Sequence, residues 1–216
     1  VLTVACVLKS GGIYKAEWVR KLRDGVARHL TLPYRFVCFS DVDVPCERIP
    51  LRHDWPGWWS KLEAFATPID GATLYLDLDS IVVGSLDAIA AYPHRMTMCH
   101  EYYRPHLLCS TAMAWSGDYS FLYTTFAKDP IRLAHYYDKT LPGGRIGDQA
   151  FIEDCLRDTE FQGAETFRDL FGERSIASYK VHECQMAPPA DAAAISFHGF
   201  PKPHDLKSGW VLREWR

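Results

Sequence analysis

The first forty residues constrain the fold of this chain more than any other part. "LTVACVL", Leu2 to Leu8, is apolar except for Thr3, and the polar loop Lys9–Ser10–Gly11–Gly12 follows it. Trp18, Leu22 and Val26 then recur at helical spacing between about Tyr14 and His29, before a second apolar run, "YRFVCF", from Tyr34 to Phe39. Short runs without polar alternation read as buried strands, and the 3.6-residue period between them reads as a helix. Strand, helix, strand is the opening of an open α/β sheet with helices on both faces.

The rest of the chain extends that plan. "ERIPL" is a candidate third strand, Trp58 to Phe65 a short helix, "ATLYLDLD" a further strand and "SLDAIAAY" a helix after it. "RMTMCH" and "LLCSTAMAW" read as strands, and helical patterns run over Gly117–Phe126, Pro130–Tyr137 and Asp148–Arg157. "SIASYKVH" and "AAAISFHGF" are expected as late strands, separated by a break at Pro188–Pro189. The sequence has no internal repeat, low-complexity tract or linker, and its 216 residues suit a single domain, residues 1–216. In such sheets ligands bind beyond the carboxyl ends of the strands.

Several function classes are disfavoured by composition. A net charge of −3 argues against a nucleic-acid footprint. No apolar run reaches the length of a membrane span. The seven cysteines contain no C-x-x-C pair, and Cys6, Cys38 and Cys109 fall in apolar runs. Buried thiols in a reducing compartment fit that pattern better than a disulfide framework or a zinc site, and a cytoplasmic location is the expectation.

The chemistry is expected near "LYLDLDSIVVG", where Asp77 and Asp79 end an apolar run. Alternation along a strand sends both carboxylates to one side while Leu78 packs on the other. Two like charges at a core edge need a positive partner, and a hard divalent cation, Mg²⁺ or Mn²⁺, satisfies them. The chain contains a second D-x-D, Asp41–Val42–Asp43, but it runs into Pro45 and reads first as a solvated turn. In "ISFHGFPKPHD", His198 ends an apolar strand, Gly199 permits close backbone approach, and Lys202 stands between Pro201 and Pro203. His198 is a candidate third metal ligand and Lys202 a candidate phosphate contact; a structural histidine and a surface lysine are the plainer readings. Lys61 in "GWWSKLEAF" is most simply a surface charge, and Asp148 in "GDQAF" most simply a helix cap, with Gln149 exposed beside it.

Taken in order, "YRFVCFSD", "GWWSKLEAF", "LYLDLDSIVVGSLD", "GDQ", "SYK" and "FHGFPKPH" resemble the nucleotide-sugar glycosyltransferases of the GT-A fold, family 8, the glycogenin and lipopolysaccharide galactosyltransferase group. The set covers nearly the whole chain. The resemblance implies a Rossmann-like open mixed sheet and Asp77 and Asp79 chelating Mn²⁺ (or Mg²⁺) under a donor diphosphate. By the same resemblance His198 completes the ligands and Lys202 contacts the phosphates from the segment opened by Gly199. The glycogenin pattern places its histidine where this chain has Ser196, two residues earlier on the same strand face. Lys61 is implied near the donor. Leu8, Lys9, Ser10 and Tyr14 are implied around the base, with Tyr14 stacking on uracil, and Asp41 serves the nucleoside. The backbone of Leu78 joins the donor site, as do Ser110 and Thr111, although Cys109 stands where the family carries Asn. Asp148 and Gln149 are implied beside the transferred sugar. The donor implied is a UDP-sugar, the acceptor a saccharide or glycoconjugate, and the outcome retention of anomeric configuration.

Two other readings fit parts of the pattern. A sugar-1-phosphate nucleotidyltransferase uses a Gly-rich phosphate loop, of which Lys9 with Gly11–Gly12 is a faint echo. A degenerate nucleotide-sugar-binding scaffold needs no metal chemistry, which Asp77, Asp79, His198 and Lys202 together argue against. Tyr102–Pro105 and Trp115 are candidates to line an acceptor pocket, or to pack.

Overall fold

The computed structural model describes residues 1–66, 68–157, 163–207 and 209–216. Strand β1 (Leu2–Leu8) leads through helix α1 (Ala16–His29) to β2 (Tyr34–Ser40) and β3 (Glu47–Pro50). A 3₁₀ segment over Gly57–Phe65 precedes β4 (Ala72–Leu76), β5 (Ser80–Val82) and α2 (Asp87–Ala91). Next come β6 (Met96–His100), β7 (Leu108–Ser116), α3 (Ser120–Ala127), α4 (Pro130–Tyr137) and α5 (Gly147–Arg157). The remainder comprises β8 (Glu165–Thr166), α6 (Phe167–Phe171), β9 (Ile176–Ser178), β10 (Ala194–Ser196) and α7 (Trp210–Glu214).

Local chemistry explains the sharper boundaries. Helix α4 begins where Asp129 accepts a bond from the Arg132 amide at 3.2 Å, with Pro130 preset in the first turn. Helix α1 turns Trp18, Val19, Leu22 and Val26 into the core, the face its spacing predicts.

The main sheet has seven strands in the order β3-β2-β1-β4-β7-β6-β8. Strands β1, β2, β3 and β4 run parallel, with Cys6 opposite Cys38 and Thr3 opposite Thr73, while β7 runs antiparallel between β4 and β6. One core cluster, around Leu22, Leu76 and Trp210, lies on the α1 side. The other, around Trp59, Phe126 and Phe151, lies under α3 and α5. Helices therefore cover both faces, as the sequence predicts.

The late strands depart from expectation. They do not extend the main sheet; β5, β10 and β9 form a separate three-stranded sheet in that order. The seam between the two sheets is the Asp77–Asp79 turn. Strand β4 stops at Leu76, the Asp77 amide bonds the Thr111 carbonyl of β7 at 2.9 Å, and the Ser80 amide closes back on the Asp77 carbonyl at 3.0 Å. The chain then enters β5, with Ser80 opposite Ser196, and the Phe197 amide bonds the Asp79 carbonyl at 3.1 Å.

Candidate active site

The turn at the seam sets Asp77 on the wall of a crevice with Asp79 buried two residues on, though not by strand alternation. Leu78 between them is buried, and Asp79 is 5% exposed. The crevice has a volume of about 700 Å³, and Lys9, Ser10, Tyr14, Trp58, Lys61 and Asp77 are among the residues that line it.

Each carboxylate has its own lysine. Lys61 comes from the 3₁₀ segment, and its Nζ lies 3.2 Å from Asp77 Oδ1 and 3.1 Å from Asp148 Oδ2. The same ammonium donates to Ser110 Oγ at 2.9 Å and to the Ser110 carbonyl at 3.2 Å. Ser110 Oγ in turn donates to Asp148 Oδ2 at 2.7 Å. Lys202 Nζ pairs with Asp79 Oδ2 and donates to the Phe197 carbonyl at 3.0 Å. Lys61 and Lys202 are thus buried counter-ions rather than surface charges, which corrects the plainer reading of both.

Burial alone would depress the Lys61 ammonium; the charges of Asp148 and Asp77 more than reverse this and leave it raised. Burial pushes the Asp77 carboxyl up, Lys61 pulls it down, and the neighbouring Asp79 charge adds to the rise, so it settles at about 6. Asp77, Asp79 and Asp148 face Lys61 and Lys202, so the cluster holds one negative charge in excess when all five ionise.

A testable consequence follows from Asp77. Its folded-state value lies above the ordinary carboxylate value of 3.8. Ionisation therefore costs stability in full above about 6, and not at all below about 4. Asp77→Asn is expected to stabilise the fold by roughly 1–2 kcal/mol at pH 7.5, allowing for the part of the carboxylate that faces the crevice. Thermal melts at pH 7.5 and pH 4 check this, with the gain disappearing at the lower pH.

Tyr75, not among the residues expected at the site, completes the Asp77 environment. Its buried hydroxyl donates to Asp77 Oδ1 at 2.7 Å. The signal was available, because residues two apart on a strand share a side, and Tyr75 precedes Asp77 by two. Tyr14 lines the crevice with Lys9 and Ser10, its hydroxyl donates to Asp79 Oδ2 at 3.0 Å, and Lys202 Nζ sits 5.7 Å from its ring centre. This sets it at the carboxylate end of the crevice. Burial, then the charges of Asp79 and Asp77, raises its phenol.

At the other end, Lys9 Nζ reaches Asp41 Oδ2 at 2.7 Å and Asp54 Oδ1 at 2.6 Å. The Ser10 amide and hydroxyl donate to Asp41 at 2.8 and 2.6 Å. Desolvation opposes ionising Asp41, but the bonds from Lys9 and Ser10 outweigh it and bring the carboxyl down to about 2. Asp43 is fully exposed, the solvated turn its sequence suggests. Leu8 is buried in the core, so only its backbone is available to a ligand. Thr111 is likewise buried, its Oγ1 bonded to Ser196 Oγ at 2.8 Å.

His198 stands apart from the carboxylate pair. Its Nε2 bonds Ser178 Oγ at 2.7 Å, and its ring stacks on Tyr102 at 4.9 Å. Among the described residues no group of three or more His, Cys, Asp or Glu is gathered as a metal set, so the expected trio is not assembled in this conformation. Burial, aided by the charge of Lys180, depresses the imidazole to about 4, keeping it neutral. The two aspartates do fit a hard cation: they are oxygen donors sharing one site, and their repulsion shows in the raised value of Asp77. Gly199 has φ +64, and a Cβ there would meet Lys180 Nζ at 3.0 Å. Trp115 and Tyr102 are core residues, which removes them as acceptor-lining side chains, while Tyr103 is exposed. Asp148 is buried in the first turn of α5, and the half-buried Gln149 follows it.

No protein-family model and no curated protein matches the sequence. Solved structures do match. The apo form of the glycosyltransferase GlyE of Streptococcus pneumoniae TIGR4 superposes with a TM-score of 0.65 at 12% identity, over 99% of this chain and 58% of GlyE. An active-site glutamine-to-glutamate variant of LgtC gives 0.65 at 10% identity, over 98% of this chain and 93% of LgtC. The galactosyltransferase LgtC in complex with donor and acceptor sugar analogues gives 0.56 at 10% identity, over 93% and 88%.

The chain has the GT-A fold.

This chain spans little more than half of GlyE, and at these identities the likeness establishes the GT-A fold alone. Within the GT-A fold, the seam between the sheets holds the buried charges Lys61, Asp79, Asp148 and Lys202. Among the described residues no helix is long and apolar enough to cross a membrane.

Proposed function

We propose that this chain is a metal-dependent glycosyltransferase that moves a sugar from a UDP-sugar to a saccharide or glycoconjugate acceptor with retention of configuration. The observation that carries this reading is the carboxylate pair Asp77 and Asp79 at the seam of a GT-A fold, Asp77 lining the crevice and each acid paired with a buried lysine. The cluster's excess negative charge suits a divalent cation, and cation and cluster together suit a diphosphate.

Asp77 and Asp79 would hold Mn²⁺ (or Mg²⁺), and His198 would join them through Nδ1, or through Nε2 on releasing Ser178. When bound, the metal supplies Lewis-acid stabilisation of charge on the leaving diphosphate. Lys202 adds fixed positive charge at the phosphates. Lys61 acts differently, because Asp77, Asp148 and Ser110 saturate it, and it fixes the position of Asp148. Lys9, Ser10 and Asp41 form the nucleoside end, with Leu8 and Leu78 contributing backbone. LgtC carries an active-site glutamine. Gln149 is its proposed counterpart, orienting the transferred sugar beside Asp148. No strong protein base is needed, because a departing phosphate oxygen on the attacked face accepts the acceptor's proton.

The test is a panel of UDP-sugars incubated with the protein and Mn²⁺, with UDP release measured by coupled assay. Release from at least one donor, abolished by EDTA, is expected. No release from any donor, with no thermal stabilisation by UDP and Mn²⁺, would overturn the reading.

A further inference from the structure

The cation position at Asp79 is already taken by a side chain. Lys202 Nζ pairs with Asp79 Oδ2, and the two side chains are 9% and 7% exposed. Tyr14 donates to the same oxygen at 3.0 Å, so Oδ2 has two donors and no lone pair turned to solvent for a metal. An ammonium and a divalent ion at one carboxylate oxygen repel each other strongly in a site this dry. Metal entry at that oxygen requires Lys202 to leave, and entry at Oδ1 of the same carboxylate is opposed by the charge of the neighbouring ammonium.

The two lysines differ in how firmly they are held. Lys61 keeps Asp148 and both oxygens of Ser110 when Asp77 turns to another partner. Lys202 touches one carboxylate, Asp79, and one carbonyl, Phe197. Its backbone is fixed: the Lys202 amide donates to Asp205 Oδ2 at 2.8 Å, opening the 3₁₀ turn Pro203–Asp205. The side chain swings from an anchored point, and it needs a second anion to swing towards.

We propose that Lys202 is an exchangeable counter-ion that couples metal binding to nucleotide binding. In the free protein it neutralises Asp79 and excludes the divalent cation. A nucleoside diphosphate offers the ammonium a replacement anion, drawing it off Asp79, so metal and nucleotide enter as a unit. This rests on the proposed function and adds to it an order of assembly. Linkage makes the effect reciprocal: the metal tightens nucleotide binding by the same factor.

The test is Mn²⁺ binding by electron paramagnetic resonance, with and without saturating UDP, on wild type, Lys202→Met and Lys202→Arg. Wild type is expected to bind Mn²⁺ at least tenfold more tightly with UDP than without. Lys202→Met is expected to bind Mn²⁺ alone at least tenfold more tightly than wild type, shrinking the UDP effect by the same factor, while Lys202→Arg keeps the wild-type ratio. Lys202→Gln, which retains a donor for Asp79, serves where the methionine variant fails to fold. Equal Mn²⁺ affinity of wild type with and without UDP, or an undiminished UDP effect in the neutral variants, overturns the exchange while leaving the glycosyltransferase reading standing. No Mn²⁺ binding to any form, even with UDP, overturns both.

Discussion

Replacing Asp79 with alanine is expected to lower sugar transfer by roughly 10²–10³-fold, the scale on which preorganised electrostatic stabilisation is lost when one contributing group is removed. Asp79 is the point where β5, Lys202 and Tyr14 converge, so its loss removes one of the two carboxylates proposed to hold the metal and strands a buried ammonium. Stranding a buried charge costs about 3–5 kcal/mol, so the alanine variant will also melt earlier. Asp79→Asn separates the two effects. It keeps oxygen and shape, retains more of the stability, and is expected to show the same loss of metal-dependent turnover. Steady-state UDP release beside thermal melts decides the matter: near-wild-type rates in a folded Asp79→Asn, insensitive to EDTA, would remove the metal from the mechanism.

Lys61→Met is the second large effect, and stability is where it shows first. Lys61 is the positive centre among Asp77, Asp148 and Ser110, with its side chain 7% exposed. Without it two buried carboxylates keep only the neutral donors Tyr75 and Ser110 and lose their shared cation, and a loss of about 3–5 kcal/mol is expected at pH 7.5. The pH dependence carries the signature. Asp77 already protonates at about 6, and removing Lys61 moves Asp77 further up. The variant's folded state then takes up protons that its unfolded state does not, so stability returns as pH falls towards 5. Urea melts at pH 7.5 and pH 5 measure this. A deficit equal at both would show that Lys61 supports packing rather than charge balance.

The legible parts of this protein are those written in local pattern. Leu2–Leu8, Tyr34–Ser40 and the helix Pro130–Tyr137 announce themselves through apolar runs and helical spacing. Asp77 and Asp79 stood out because charge at a core edge is costly wherever it occurs. What stayed hidden depends on pairing across long separations. Lys202 and Asp79 are 123 residues apart, and nothing near either one names the other. The late strands read correctly as apolar runs, yet their membership of a second sheet is decided by β5, a three-residue strand whose partner lies far along the chain. Trp115 misled for a related reason: an aromatic residue does not say from sequence whether it faces a pocket or, as here, Phe65 at 4.6 Å.

Asp77 takes its backbone anchor from Thr111 of the seven-stranded layer, whereas Asp79 takes its own from Phe197 beyond the three-stranded one. The gap between the two acids is therefore a gauge of how the layers lie against each other. The hydroxyl stitch from Thr111 to Ser196 sets that gauge from behind, out of reach of any substrate. Evolution or an engineer retuning that gap thus has a dial at this hidden fastening, separate from every residue proposed to meet the nucleotide.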